Sequence, residues 1–231
     1  VQAFYDQLVD QTVRVSGTRE AEFTKLVENT FRHANIALVN ELAMHAHGMG
    51  IDIWEVIDAA STKPFGFMPF RPGPCVGGHC LPIDPSYLSW KIHRQLGTTA
   101  KFVEMANAIN EGMPAYVVQR AMLGLNERGK ATNGARVLVL GLAYKKNSKD
   151  ARETPSTQVI DGLLRLGAGV SVHDTHVGPH PIDARAPRVG LTRNEVESAD
   201  IVLLLTDHDD VDYALIEQYA QYVFDTRCHL V

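Results

Sequence analysis

A chain of 231 residues, 45% of them hydrophobic and 21% charged, has ordinary globular composition and room for one large or two small domains. A formal net charge of -5 leaves no basic surplus for nucleic acid and no like-charged tail, so an anionic ligand has to be met by local cations. No apolar run approaches the roughly 18 residues of a membrane span, VQAFYDQL is no signal peptide, and three cysteines (Cys75, Cys80, Cys228) fit a reducing cytoplasm with at least one free thiol.

The chain starts with Val rather than Met, so its natural start is expected upstream. FYDQLVD reads as the last turns of a helix and TVRVS as an alternating strand, together the tail of a preceding α/β domain. Thr18 is a candidate N-cap, with Glu20 and Glu22 suited to the positive helix end. Val27, Phe31, Ala34, Leu38, Leu42 and Ala46 then recur at helical spacing until Gly48 and Gly50. A helix of some 25 to 30 residues is expected there, long enough for a domain spine or a dimer interface. IDIWEVIDAAST is a second helix. Residues 62–86 hold six prolines and four glycines and read as one long ordered loop, which in a compact domain is usually functional. Helices are expected again over Tyr87–Leu96, Thr99–Glu111 and Ala115–Arg128, followed by the linker ERGKATNGA.

A different pattern follows. RVLVLGLAY reads as a buried parallel strand, and Thr154-Pro155 as an N-cap and first-turn proline of a helix ending at Leu166 before Gly167. GVSVHD, the end of VESADIVLLLTDH, and YVFD are further strands, with VDYALIEQYA helical between the last two. Alternating strands and helices predict a parallel, doubly wound sheet.

The loop GPCVGGHCLPID is where chemistry is most concentrated. Its glycines allow close backbone approach to a ligand, and a cysteine fixed there is either a buried thiol or a nucleophile. Lys25 and Asn29, at i and i+4, share one helix face, either a plain solvated surface or a pair of donors for an oxyanion. Asp84, four residues past Cys80, is either a turn residue before Pro85 or a base for water. GLAYKKNSKDARETP runs from a strand to a helix, where doubly wound folds hold phosphates, and Lys145, Lys146 and Lys149 add positive charge. No GxGxxG occurs anywhere, so the chain carries no dinucleotide fingerprint. His173, Asp174, His176 and His180 match no zinc spacing, Cys75, His79 and Cys80 lack a fourth ligand, and no metal is expected.

Taken in order, AEFTKLVENTFRHANIALVNELA, KPFGFMPFRPGPCVGGHCLPIDPSYL, GLAYKKNSKDARETPS and FDTR resemble the UDP-glucose/GDP-mannose dehydrogenase family, from about residue 12 onward. The resemblance implies an all-helical central dimerisation domain built on a long spine helix, over residues 18–130. It implies a Rossmann-like, doubly wound UDP-sugar-binding domain over 131–231, with residues 1–17 the tail of an NAD-binding domain that is otherwise absent. It also implies NAD-dependent, four-electron oxidation of a nucleotide sugar at C6 through a cysteine thiohemiacetal and thioester. In that family's terms Cys80 is the nucleophile of the GGxC motif, Lys25 and Asn29 hold water and the oxyanion, and Asp84 activates water. Tyr144, Lys145 and Arg227 meet the nucleotide, and Arg71, Gly77 and Gly78 fall in the substrate loop.

The form PGPxVGGHC-x-P-x-DP is similar to the branch acting on UDP-N-acetylglucosamine or UDP-N-acetylmannosamine. His79 and Ile83 stand where UDP-glucose enzymes carry other residues, and Cys75 stands where a glycine is more usual. The implied partners are a UDP-sugar and a second copy of the chain, in the cytoplasm, without nucleic acid or membrane. The alternatives are a UDP-glucose 6-dehydrogenase, or a non-catalytic module that binds nucleotide sugar and dimerises.

Overall fold

The computed structural model describes residues 2–78 and 80–230, so the reading of His79 lies outside the described residues. A four-residue helix, α1 (Gln2–Tyr5), precedes an extended stretch. TVRVS forms no strand there, because among the described residues no neighbouring strand offers it a ladder.

The spine helix α2 spans Thr18–Gly48, 31 residues. Gly17, not Thr18, occupies the N-cap, without a side-chain hydrogen bond. α2 buries Asn29, His33, Ala37 and Asn40 and leaves Val27, Phe31, Leu38 and Leu42 about half exposed. Its inward face therefore mixes these polar residues with Ala37, Val39 and Ala46, while Val27, Phe31, Leu38 and Leu42 of the apolar period face outward. α3 (Ile53–Ser61) follows, capped by the Asp52 carboxylate on the N–H groups of Trp54 and Glu55.

Two expectations shift here. The loop ends earlier than predicted: α4 runs Cys80–Leu96 and takes in both Pro82 and Pro85. Pro82 sits in the first turn, where a missing N–H costs nothing, and Pro85 is buried in packing that outweighs the hydrogen bond it forfeits. The two helices expected over 99–128 are one, α5 (Lys101–Glu127), continuous through Pro114 because that proline is buried in the same way. α2 packs on α4 and α5 to make the helical unit.

The second unit is a four-stranded, all-parallel sheet in the order β2-β1-β3-β4: β1 Arg136–Leu140, β2 Gly169–His173, β3 Ile201–Leu204 and β4 Val223–Asp225. Register pairs Val139 with Val172 on one side and with Leu203 on the other. The sheet is wound on both faces. Val137, Val139 and Leu203 pack against α6 (Pro155–Arg165) and the last turns of α5 through Val117, Ala121 and Leu125. Leu138, Leu140 and Leu204 pack against α7 (Arg193–Ser198) and α8 (Tyr213–Tyr219). α5 therefore packs in both units as one continuous helix. Strand order reverses between β1 and β3, so the crevice outside their carboxyl ends is where a ligand is expected in such a sheet.

Candidate active site

Cys80 is the first residue of α4, solvent-exposed, and the three cysteines are free. Cys75 has a different environment. Its φ of 145° is one that L residues rarely adopt, and its thiol, directed to the Val76 carbonyl at 3.4 Å, is pushed up by burial to about 11. Cys75 is therefore a protonated thiol near neutral pH, and Cys80 is the more accessible of the two thiols.

One turn into α4, the Asp84 carboxylate accepts a hydrogen bond from the Asn29 amide at 2.6 Å. Two candidates 55 residues apart in sequence thus meet. Asn29 is buried because it lies on the inward stripe of α2. Lys25, one turn earlier, is exposed and paired with Glu28 at 3.1 Å; it shares the helix face but touches neither Asp84 nor Cys80 among the described residues. Arg71 reaches across to Asp58 and stacks over Trp54 at 5.8 Å, which anchors the start of the cysteine loop on α3.

The loop leans on the second unit at two points. A Cβ at Gly77 would lie 2.7 Å from that of Tyr144, and one at Gly78 would lie 2.8 Å from the Tyr144 ring, so only glycine lets the backbone seat there. Nearer the loop's start, Gly73 lies against the Arg227 guanidinium, which donates from Nε to the Leu205 carbonyl at 2.7 Å and so spans the carboxyl end of β3. Tyr144 and Arg227 therefore lie between the sheet's crevice and the cysteine loop.

The first amides of the turn after β1 are already taken. Asp174, at the end of β2, takes the N–H groups of Leu142 and Ala143 at 2.6 and 3.0 Å on one oxygen. Its other oxygen takes those of His176 and Val177. His208 adds a bond at 3.2 Å, with Asp174 and His208 side chains fully buried. Burial by itself would raise the Asp174 carboxyl, but the bonds from His208 and the amides outweigh it and hold it well below the usual carboxylate range. Cations here differ in availability. Lys146 is held by Asp209 at 2.6 Å, whereas Lys145 lies 5.4 Å from the Tyr144 ring centroid with no acidic partner among the described residues.

Sequence reading missed Arg152. It forms a two-pronged pair with Asp150, which raises it, and stands within electrostatic reach of Tyr144 and Cys80. Its only signal was membership of the KDARETP stretch. A cavity of about 710 Å³ opens between α2, α3, α5 and β4, lined by His47, Trp54, Arg120 and Gly73 among others, but by none of Cys80, Lys25, Asn29 or Asp84. No group of three or more His, Cys, Asp or Glu among the described residues is arranged to hold a metal ion. No described helix is long and apolar enough to cross a membrane.

Two family models match this chain. Residues 19–112 match the central domain of the UDP-glucose/GDP-mannose dehydrogenase family, and residues 138–230 match that family's UDP binding domain. A UDP-N-acetyl-D-mannosamine dehydrogenase of Methanococcus maripaludis is 35% identical, the alignment covering 96% of this chain and 51% of that protein. A UDP-N-acetyl-D-glucosamine 6-dehydrogenase of Pseudomonas aeruginosa is 40% identical over 77% of this chain and 42% of its own length. The solved UDP-D-ManNAc dehydrogenase of Pyrococcus horikoshii superposes with a TM-score of 0.84 at 31% identity, covering all of this chain and 53% of that one. The chain spans about half the length of the curated relatives it matches. With both family models matched in order and a parallel, doubly wound sheet behind the cysteine loop, the chain belongs to the UDP-glucose/GDP-mannose dehydrogenase family.

Proposed function

We propose that the whole protein is an NAD-dependent nucleotide-sugar 6-dehydrogenase that oxidises a UDP-N-acetylhexosamine to the uronic acid, with Cys80 as its nucleophile. The observation that carries this reading is the exposed Cys80 at the head of α4, one turn from the Asn29–Asp84 pair, on a loop seated against Tyr144. The relatives' acetylated substrates favour the sugar class.

The oxidation removes two hydrides, for which NAD+ is the acceptor. The described residues do not fit a dinucleotide: the turn after β1 lacks the glycine fingerprint, and its amides are taken by Asp174. The steps of this chain's own residues are the following. Cys80 sulfur bonds to the C6 aldehyde carbon, and the resulting alkoxide is held by donors such as Asn29 and Lys25. Loss of the second hydride leaves a thioester. Asp84, oriented by Asn29, takes one proton from water as the water oxygen attacks that thioester; the carbon–sulfur bond breaks, the carboxylate leaves, and the Cys80 sulfur takes the second proton as a thiol. With those first amides taken, the diphosphate is met by side chains, Lys145 and Arg227 first. Arg71, Gly77 and Gly78 shape the loop around the sugar.

The exposed apolar stripe of α2 supports a homodimer through that helix, and the free thiols suit a reducing cytoplasm. In this reading residues 18–130 are the dimerising unit, 131–231 the UDP-sugar unit and 1–17 the tail of an NAD-binding domain. The 231-residue chain alone binds UDP-sugar and dimerises without turnover.

The test is NADH released per sugar consumed by the full-length protein, with UDP-N-acetylglucosamine, UDP-N-acetylmannosamine and UDP-glucose. Two NADH per acetylated sugar is the expected result. Cys80→Ser should lower turnover by at least about a thousandfold while UDP-sugar binding by calorimetry persists. Wild-type NADH formation by that variant would remove Cys80 from the chemistry.

A further inference from the structure

Two of the polar side chains that α2 buries, His33 and Asn40, form a continuous chain of hydrogen bonds with α5. The Gly73 N–H donates to Asn40 Oδ1 at 2.9 Å. Asn40 Nδ2 donates to Asn110 Oδ1 at 3.0 Å. Asn110 Nδ2 reaches His33 at its backbone carbonyl, 3.2 Å, and at ring Nδ1, 3.4 Å. His33 Nε2 donates to Asn107 Oδ1 at 2.9 Å, and Asn107 Nδ2 donates to Ser86 Oγ at 3.1 Å. The Ser86 hydroxyl closes the chain on the Pro82 carbonyl at 3.2 Å. Every member donates in the same direction. That order requires the neutral His33 tautomer with its proton on Nε2, since Nδ1 faces a donor.

The two ends of this chain bracket the reactive segment. Gly73 lies seven residues before Cys80 and Ser86 six after it, so one network, buried at its centre and exposed at Ser86, grips both flanks of the stretch that carries Cys80 and Asp84. A helix pair needs no such network to pack. Burying His33, Asn40 and Asn110 costs free energy unless every polar atom is matched, and here each amide is. Their directional match, ending on the loop at both sides, points to a purpose beyond cohesion of α2 and α5.

We propose that His33, Asn40, Asn107 and Asn110 are positioning residues that hold the Cys80 segment in register, a role that rests on the dehydrogenase reading for its catalytic consequence alone. None of the four touches Cys80. They act by fixing where α4 begins and how the loop enters it. Because they work as one chain, the loss of any link should have much the effect of losing two.

The experiment uses the full-length protein with Asn40→Ala, Asn107→Ala and the double variant. Carbamidomethylation of Cys80 by iodoacetamide is followed by peptide mass spectrometry, with Cys228 as internal reference. UDP affinity is measured by calorimetry, and kcat and KM with UDP-N-acetylglucosamine and UDP-N-acetylmannosamine. Each single variant should shift the Cys80 alkylation rate by at least about threefold and lower kcat roughly tenfold, with KM, UDP affinity and Cys228 alkylation within about twofold. The double variant should be no worse than the worse single, the mark of a shared network. Wild-type Cys80 alkylation in both folded single variants, or additive effects in the double, would overturn the proposal. Should Asn40→Ala fail to fold, Asn107→Ala and Ser86→Ala, at the more exposed end, decide the matter by the same readouts. If the wild-type protein oxidises no UDP-sugar, the dehydrogenase reading falls, while the alkylation rates still decide whether the chain positions Cys80.

Discussion

The two cysteines near the head of α4 show how backbone and burial, rather than residue type, sort an accessible thiol from an enclosed one. Cys80 is exposed at a helix head; Cys75 is half-buried, with its thiol pushed up to about 11 and its φ at 145°. A non-glycine residue held at such a φ stores about 1–3 kcal/mol of strain. Cys75→Gly relieves that strain but loses a small half-buried side chain and adds unfolded-state entropy, so stability by urea denaturation should stay within about 1 kcal/mol of wild type. Cys75→Val, β-branched and far less tolerant of positive φ, should cost about 2 kcal/mol or more. Equal stability of the Val and Gly variants would show that the backbone relaxes at no cost. Sequence alone marked Cys75 as unusual in the resemblance, but the strain and the protonated thiol follow only from its place in the fold.

On the scale of elements, α2 inverts the usual arrangement. Its apolar period was legible in Val27, Phe31, Leu38 and Leu42, yet periodicity does not say which stripe faces inward. Those residues face out, and Asn29, His33 and Asn40 face in. An exposed apolar stripe along a helix of 31 residues needs a cover in water, and a second α2 is the cover proposed. Leu38→Glu with Leu42→Glu should convert the dimer to monomer in sedimentation velocity, with monomer stability changed by no more than roughly 0.5 kcal/mol because both sites are exposed. A dimer that survives the double change would move the interface elsewhere. The early start of α4 and the fusion of two expected helices into α5 have a related cause: Pro82, Pro85 and Pro114 are local breakers that helix position or tertiary packing overrides.

The whole molecule depends on how the α/β unit closes its carboxyl-end crest, and Asp174 is the keystone of that closure. All of its partners are donors: four backbone N–H groups and His208. Its carboxyl lies below the usual range when folded, so the stabilisation is complete above the ordinary carboxylate pKa of about 4 and is lost progressively as pH falls below it. Asp174→Asn places an amide N–H against donors and should cost about 2–4 kcal/mol near neutral pH. The gap to wild type should narrow as pH falls toward 3, read as melting temperature against pH. A gap that stays constant with pH would mean that Asp174 acts by packing rather than by charge.

The same crest separates what sequence and tertiary structure each decided. The order of elements after residue 130, the Thr154 cap of α6 and the loop leading to Cys80 were readable, because periodicity, turn residues and local motifs are encoded over short spans, while the proposed roles of Lys25, Asn29, Asp84, Tyr144, Lys145 and Arg227 rest on the family resemblance. The Asn29–Asp84 bond, the seating of Gly77 and Gly78 on Tyr144, the closing of the β1 turn by Asp174 and the chain through His33 were not. Each joins residues tens of positions apart, and only the packing of α2 on α4 and α5, and of the loop on the sheet, brings them together.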